Sequence, residues 1–218
     1  MDKLRRKKWL GALLGSGALL TAVLLAYGHY LRWEARSVLE DVKVFISAPN
    51  HDAAFAALSQ KYGNRLKPSK GCSADQCSYE LTVSNQLLST LLRSPRAELN
   101  ARFDLMRKSV VLVMVDYRSA QSNQISPVIH VQADVCDRCD WFYVHPWNQS
   151  STSERWNGIV EMGVAIAPEL RDAALGLNPD CLTRLRGCTD IAQLLPSIWE
   201  VSAPGVRCVV PNHSGQAR

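Results

Sequence analysis

Residues Trp9 to Leu31, WLGALLGSGALLTAVLLAYGHYL, form an uninterrupted stretch without Asp, Glu, Lys or Arg. No other feature constrains the chain as strongly. At 1.5 Å rise per residue, about 20 such residues cross a hydrocarbon core of about 30 Å as a helix. Trp9, Tyr27 and Tyr30 stand at its two ends, where amphipathic rings favour the membrane interface. Residues 1–8, MDKLRRKK, carry +4 of the chain's formal net charge of +5. Only Arg32, Glu34 and Arg36 lie just beyond the other end. The positive-inside rule therefore puts residues 1–8 in the cytoplasm as a basic tail. It makes residues 9–31 a single-pass signal anchor and sends the rest outside, as expected of a periplasmic domain held at the inner membrane.

A cleavable signal peptide is the competing reading, because Ala26-Tyr27-Gly28 has the small-x-small form of a cleavage site. The apolar run is longer than a signal peptide needs, and a helical pattern continues through it. A retained anchor is favoured on both counts. Beyond residue 8 the chain carries a net charge of only +1. A nucleic-acid surface would need clustered Lys and Arg to replace phosphate counterions, so that class of partner is excluded.

All seven cysteines follow the apolar run. Disulfides persist in oxidising compartments, which agrees with export. Sequence proximity nominates Cys72 with Cys77, Cys136 with Cys139 and Cys181 with Cys188, leaving Cys208 over. Spacing alone does not fix connectivity.

Past the anchor, Leu31, Ala35, Val38, Val42 and Phe45 recur at helical spacing, an apolar seam two heptads long on a continuing helix. It either packs on the chain's own domain, the favoured reading, or pairs two anchored copies as a short coiled coil. Ser47 or Asn50 can cap a second helix that Gly63 ends, so residues 32–63 read as juxtamembrane helices. Residues 64–201 read as an α+β domain, and 202–218 as a loose tail. Alternation marks strands at 78–84, 97–105 and 128–135. The continuous apolar run 110–117 reads as a strand buried on both faces, and 141–145 and 158–167 as further strands. Asn85 is expected to cap a short helix, Arg107-Lys108 to turn a hairpin, and Pro196 to end a C-terminal helix. The expected architecture is an antiparallel sheet of about five strands with helices packed on one face.

The stretch DVCDRCDWFYVH, Asp134 to His145, is the one candidate for chemistry. Residues 128–135 and 139–145 are expected to pair as a hairpin, with Cys136 and Cys139 flanking its turn. The plain reading is a disulfide or two thiols at that turn. A redox reading needs a thiolate stabilised at a helix N-terminus, yet a strand-like segment follows and three aspartates surround the pair. A metal reading would use His130, Cys136, Cys139 and His145, but each histidine lies about 20 Å along its strand from the nearest cysteine. No metal or cofactor is expected.

The usual hydrolase, zincin and P-loop motifs are missing from the sequence. His51 and Asp52 suit the start of a helix. Trp147 and Trp156, set in a polar segment, either form a candidate interaction surface or cover a sheet edge.

The segments FAALSQKYGNRLKPSKGCSADQCSYELTVSN and NPDCLTRLRGCTDIAQLLPSIW resemble a set of exported, single-pass bacterial proteins of no known activity. In these a helix ending Lys-Tyr-Gly precedes a C-x4-C pair, and a Cys-Leu-Thr…Gly-Cys segment lies near the C-terminus. The resemblance implies an envelope location and brings no activity with it. Cys136 and Cys139 are outside that pattern. Together these observations favour a non-enzymatic, membrane-anchored module that binds an envelope protein or ligand. The alternative is a thiol-based or metal-dependent enzyme centred on Cys136 and Cys139.

Overall fold

A computed structural model of the 218-residue chain describes residues 2–69, 71–73, 75–120, 128–135, 142–147, 157–188 and 191–201. Its first element is a single 45-residue helix, α1 (Asp2–Ile46). At 1.5 Å per residue it is about 67 Å long, roughly twice what a bilayer core requires. No proline interrupts it before Pro49. Its two halves have different surroundings. Side chains 14–23 are exposed, whereas Leu31, Ala35, Val38, Val42 and Phe45 are at most 2% exposed. The two-heptad seam is therefore the spine of the chain's own core. A coiled coil through the same five residues would require that core to open.

Polar contacts fasten the second half of α1 along its length. Arg32 and Arg36 approach Asp180 Oδ1 at 3.6 and 3.8 Å. Glu34, 8% exposed, pairs with Arg65. Lys61 donates to Asp41 Oδ1 at 2.8 Å, and the Tyr62 hydroxyl donates to the same carboxylate. Lys61 and Tyr62 belong to α2 (His51–Tyr62), whose N-cap is Asn50: its side chain accepts from the Ala53 N–H at 2.9 Å. Gly63 ends α2 at φ 50°, a backbone that a side chain disfavours.

Among the described residues seven strands form one sheet in the order β1-β2-β3-β4-β5-β7-β6. They are β1 (Lys67–Pro68), β2 (Gln76–Ser84), β3 (Arg96–Met106), β4 (Ser109–Ala120), β5 (Val128–Asp134), β6 (Phe142–Trp147) and β7 (Asn157–Gly163). The expectation of about five antiparallel strands is corrected in number and direction. The short edge strand β1 adds to it, and β5 pairs with β7 in parallel.

The expected β5–β6 hairpin does not form, because β7 lies between them. Two residue-level causes support this order. Val160 and Met162 of β7 are at most 1% exposed, against 8% for Phe142 and Val144 of β6. Pro146 lacks the N–H that a central strand must donate, so β6 belongs at an edge. Pro68 marks the opposite edge in the same way. The β3–β4 hairpin turns at Arg107 and Lys108, both at positive φ (50° and 73°), as a two-residue turn with right-handed strand twist demands.

The core occupies the sheet face that carries Leu81, Ala101, Val115, Val131, Val160 and Val144 in one cross-strand row. Against it pack the second half of α1, α2, a 3₁₀ turn at Pro179–Leu182, and the short helices α4 (Pro168–Ala174), α5 (Ile191–Leu194) and α6 (Pro196–Val201). Pro196 opens α6 at its first position, so it begins one helix while terminating another.

Asn85 precedes α3 (Gln86–Leu92), but its side chain makes no capping bond. It turns inward, 1% exposed, and its amide donates to Pro95 O at 3.0 Å and Leu182 O at 2.8 Å. Its carbonyl accepts from the Ala97 N–H at 2.8 Å. Three segments distant in sequence are tied at one buried side chain.

Val38→Asp is expected to unfold the domain, because it buries a charge with no partner, at a cost above about 4 kcal/mol; loss of the cooperative thermal transition checks this. The Tyr117 hydroxyl is buried without a hydrogen-bond partner. Burial raises its pKa well above the phenol value, with a smaller opposing pull from Arg184. The fold thus keeps a proton that the unfolded chain loses near pH 10, so stability falls as pH rises past that point. The contribution of this one residue is up to about 1.4 kcal/mol per pH unit. In Tyr117→Phe that slope is reduced, and stability at neutral pH is equal or up to about 1 kcal/mol higher. Denaturant unfolding at neutral pH and above pH 10 measures both.

Candidate functional site

The sheet face opposite the core is built by the alternate residues of the same strands. One row across it reads Thr82, Asn100, Asp116, His130, Ile159 and His145. A flanking row reads Glu80, Arg102, Met114, Gln132, Glu161 and Tyr143. Strand β4 is therefore not buried on both faces as expected. Its even-numbered residues Leu112, Met114 and Asp116 belong to the open face, and the first two are partly exposed.

A polar depression of about 300 Å³ lies on this face, lined by Glu80 and Thr82 of β2, Glu98, Asn100 and Arg102 of β3, and Asp116 and Arg118 of β4. Asp116 is its most buried member at 6% exposure. His130 Nδ1–H donates to Asp116 Oδ1 at 2.5 Å, and Arg118 reaches the other carboxylate oxygen at 3.5 Å. Next to them Arg102 donates to Asp104 at 2.7 Å and to Ser78 Oγ at 3.1 Å, while Thr82 donates to Asn100 at 3.1 Å. Arg96 pairs with Glu98 at 2.6 Å. The result is a lattice of alternating charges that offers donors and acceptors in fixed positions.

The Asp116–His130 pair resembles half of an acid–base relay, with the carboxylate orienting the ring. Among the described residues no serine, threonine or cysteine is hydrogen-bonded to His130. Among the described residues no three His, Cys, Asp or Glu side chains gather as a metal site. The arrangement suits recognition of a polar, charge-bearing surface.

The cysteines singled out in the sequence are divided. Cys72–Cys77 and Cys181–Cys188 are disulfides, with Cα–Cα distances of 4.3 and 5.3 Å. The first closes the loop entering β2, and the second the loop after the 3₁₀ turn. Cys136, Cys139, Cys208 and Trp156 lie outside the described residues. Trp147 is the last residue of β6, paired in register with Asn157. His130 and His145 both oppose Ile159, one on each side of β7. Two strand spacings therefore separate them, roughly 10 Å.

The alternation at 97–105 and 128–135 places Glu98, Asn100, Arg102, Asp104 and His130 on the polar side of their strands, whereas the apolar run 110–117 gives no such sign for Asp116 and Arg118. The available signal was a lone acid inside an otherwise apolar strand, VVLVMVDYR, an expensive placement unless the acid has partners.

The chain matches no family model, no curated protein and no solved structure.

A double-mutant cycle of Asp116→Ala and His130→Ala is expected to give a coupling of about 1 kcal/mol that shrinks with added salt, because His130 is partly exposed. Urea unfolding of the four proteins at low and high ionic strength measures it.

Proposed function

We propose that the chain is an interaction module of the bacterial envelope. It is held at the inner membrane by residues 9–31, with its N-terminus in the cytoplasm, and its open sheet face engages a polar envelope component. The observation that carries this reading is the division of α1 into a bare apolar stretch, residues 14–23, and a second half that is the core of a folded domain. The helix also contains a segment long and apolar enough to cross a membrane. The two disulfides suit an oxidising compartment. The resemblance to exported single-pass proteins supports the same location. The charged lattice around Asp116 supplies the recognition surface, and we assign it no catalytic step.

Topology is tested by C-terminal fusions. An alkaline phosphatase fusion is expected to be active and a green fluorescent protein fusion dark; the reverse pattern would overturn the reading. Binding is tested with a photo-crosslinking residue at Gln132 in the intact chain in native membranes. A discrete cross-linked partner is expected, lost in the double variant Arg102→Glu/Arg118→Glu and kept in Lys61→Glu, which lies on α2. Cross-linking that ignores the open-face substitutions would remove the open face from the proposal.

A further inference from the structure

Four leucines of the folded domain face outward from two segments that both pack beside α1. Leu87, Leu91 and Leu92 of α3 are 50%, 55% and 41% exposed, and Leu185 is 65% exposed. Exposed large apolar side chains gathered at one end of a folded domain mark a contact surface. Their position says which contact. A cleft between α1 and α3 is lined by Tyr27 and Tyr30 on one side and by Leu87 and Thr90 on the other. Gly28 lies directly against the side chain of Thr183, two residues before Leu185. Both leucine-bearing segments therefore flank α1 at residues 27–30, where the apolar run ends.

These segments are also held rigidly together. Asn85, at the start of α3, donates to Leu182 O, and the Cys181–Cys188 disulfide closes the loop with Leu185 on it. Arginines border both segments: Arg93 directly follows the α3 leucines, and Arg184 and Arg186 flank Leu185. Leucines rimmed by arginines are the chemistry of a surface that sits in a bilayer interface, apolar side chains among the upper acyl chains and guanidinium groups among anionic headgroups.

We infer that α3 and the Cys181–Cys188 loop form a membrane-seated base, through which the domain rests on the outer surface of the same bilayer that α1 crosses. The occupant of the leucine surface is lipid. This inference rests on the anchor assignment proposed above.

The test uses the full chain in nanodiscs of phosphatidylethanolamine and phosphatidylglycerol, with labelled leucine methyl groups and a nitroxide carried on the upper acyl chain. Methyl signals of Leu91 and Leu185 are expected to lose most of their intensity, while Leu112, toward the far end of the sheet, keeps its own. Leu20 within the anchor reports separately on insertion. If Leu20 broadens and Leu91 and Leu185 do not, the base is refuted and the anchor stands. If Leu20 also stays sharp, the anchor reading fails and the base fails with it. In the folded variant Leu185→Glu, the Leu91 signal is expected to recover part of its intensity; unchanged broadening there would refute a shared surface.

Discussion

One unbroken helix carries two incompatible surfaces, and the rest of the structure is arranged around that fact. From Leu14 to Val23 α1 displays a nearly all-apolar surface, which is affordable only in lipid or in a core. From Leu31 onward it becomes amphipathic in the ordinary way, with one stripe buried and the other carrying Arg36, Glu40 and Val44 outward. The sheet, α2 and the C-terminal helices collect around that stripe. Fully burying side chains such as Val38, Val42 and Phe45 is worth about 1.5–3 kcal/mol each. The ion pairs from Glu34, Asp41 and Asp180 lie at the rim of this contact and give it direction more than strength.

Much of this architecture was legible in residue patterns because those patterns report local physics. The run from Trp9 to Leu31, the period-two alternation of residues 97–105, and the turn at Arg107-Lys108 each depend on neighbours close in sequence. What stayed hidden depends on partners far apart. Nothing local reveals that β7 slips between β5 and β6, although Pro146 held a clue to the edge position of β6. Asn85 read as a helix cap because Asn often is one. Its real partners, Pro95, Ala97 and Leu182, are brought to it only by the tertiary fold.

The same contrast governs the open face. Its charged residues were visible one strand at a time, but a site is a property of several strands in register. Thr82, Asn100, Asp116 and His130 come from four strands and meet only because the pairing places them in one row. Asp116 illustrates the cost. A carboxylate this enclosed is tolerable because His130 and Arg118 supply the hydrogen bonds that water would otherwise give.

The absence of any proline or helix-ending glycine between Leu31 and Ile46 has a mechanical meaning. A module on a flexible linker samples every height and heading above its support, and its partner must search for it. Here the spine of the module is the stalk itself, so a rotation of α1 about its axis turns the charged sheet face like a vane on a rod. In the anchored arrangement proposed above, anything that approached that face would meet it at a set elevation, and torque applied there would pass straight down the rod.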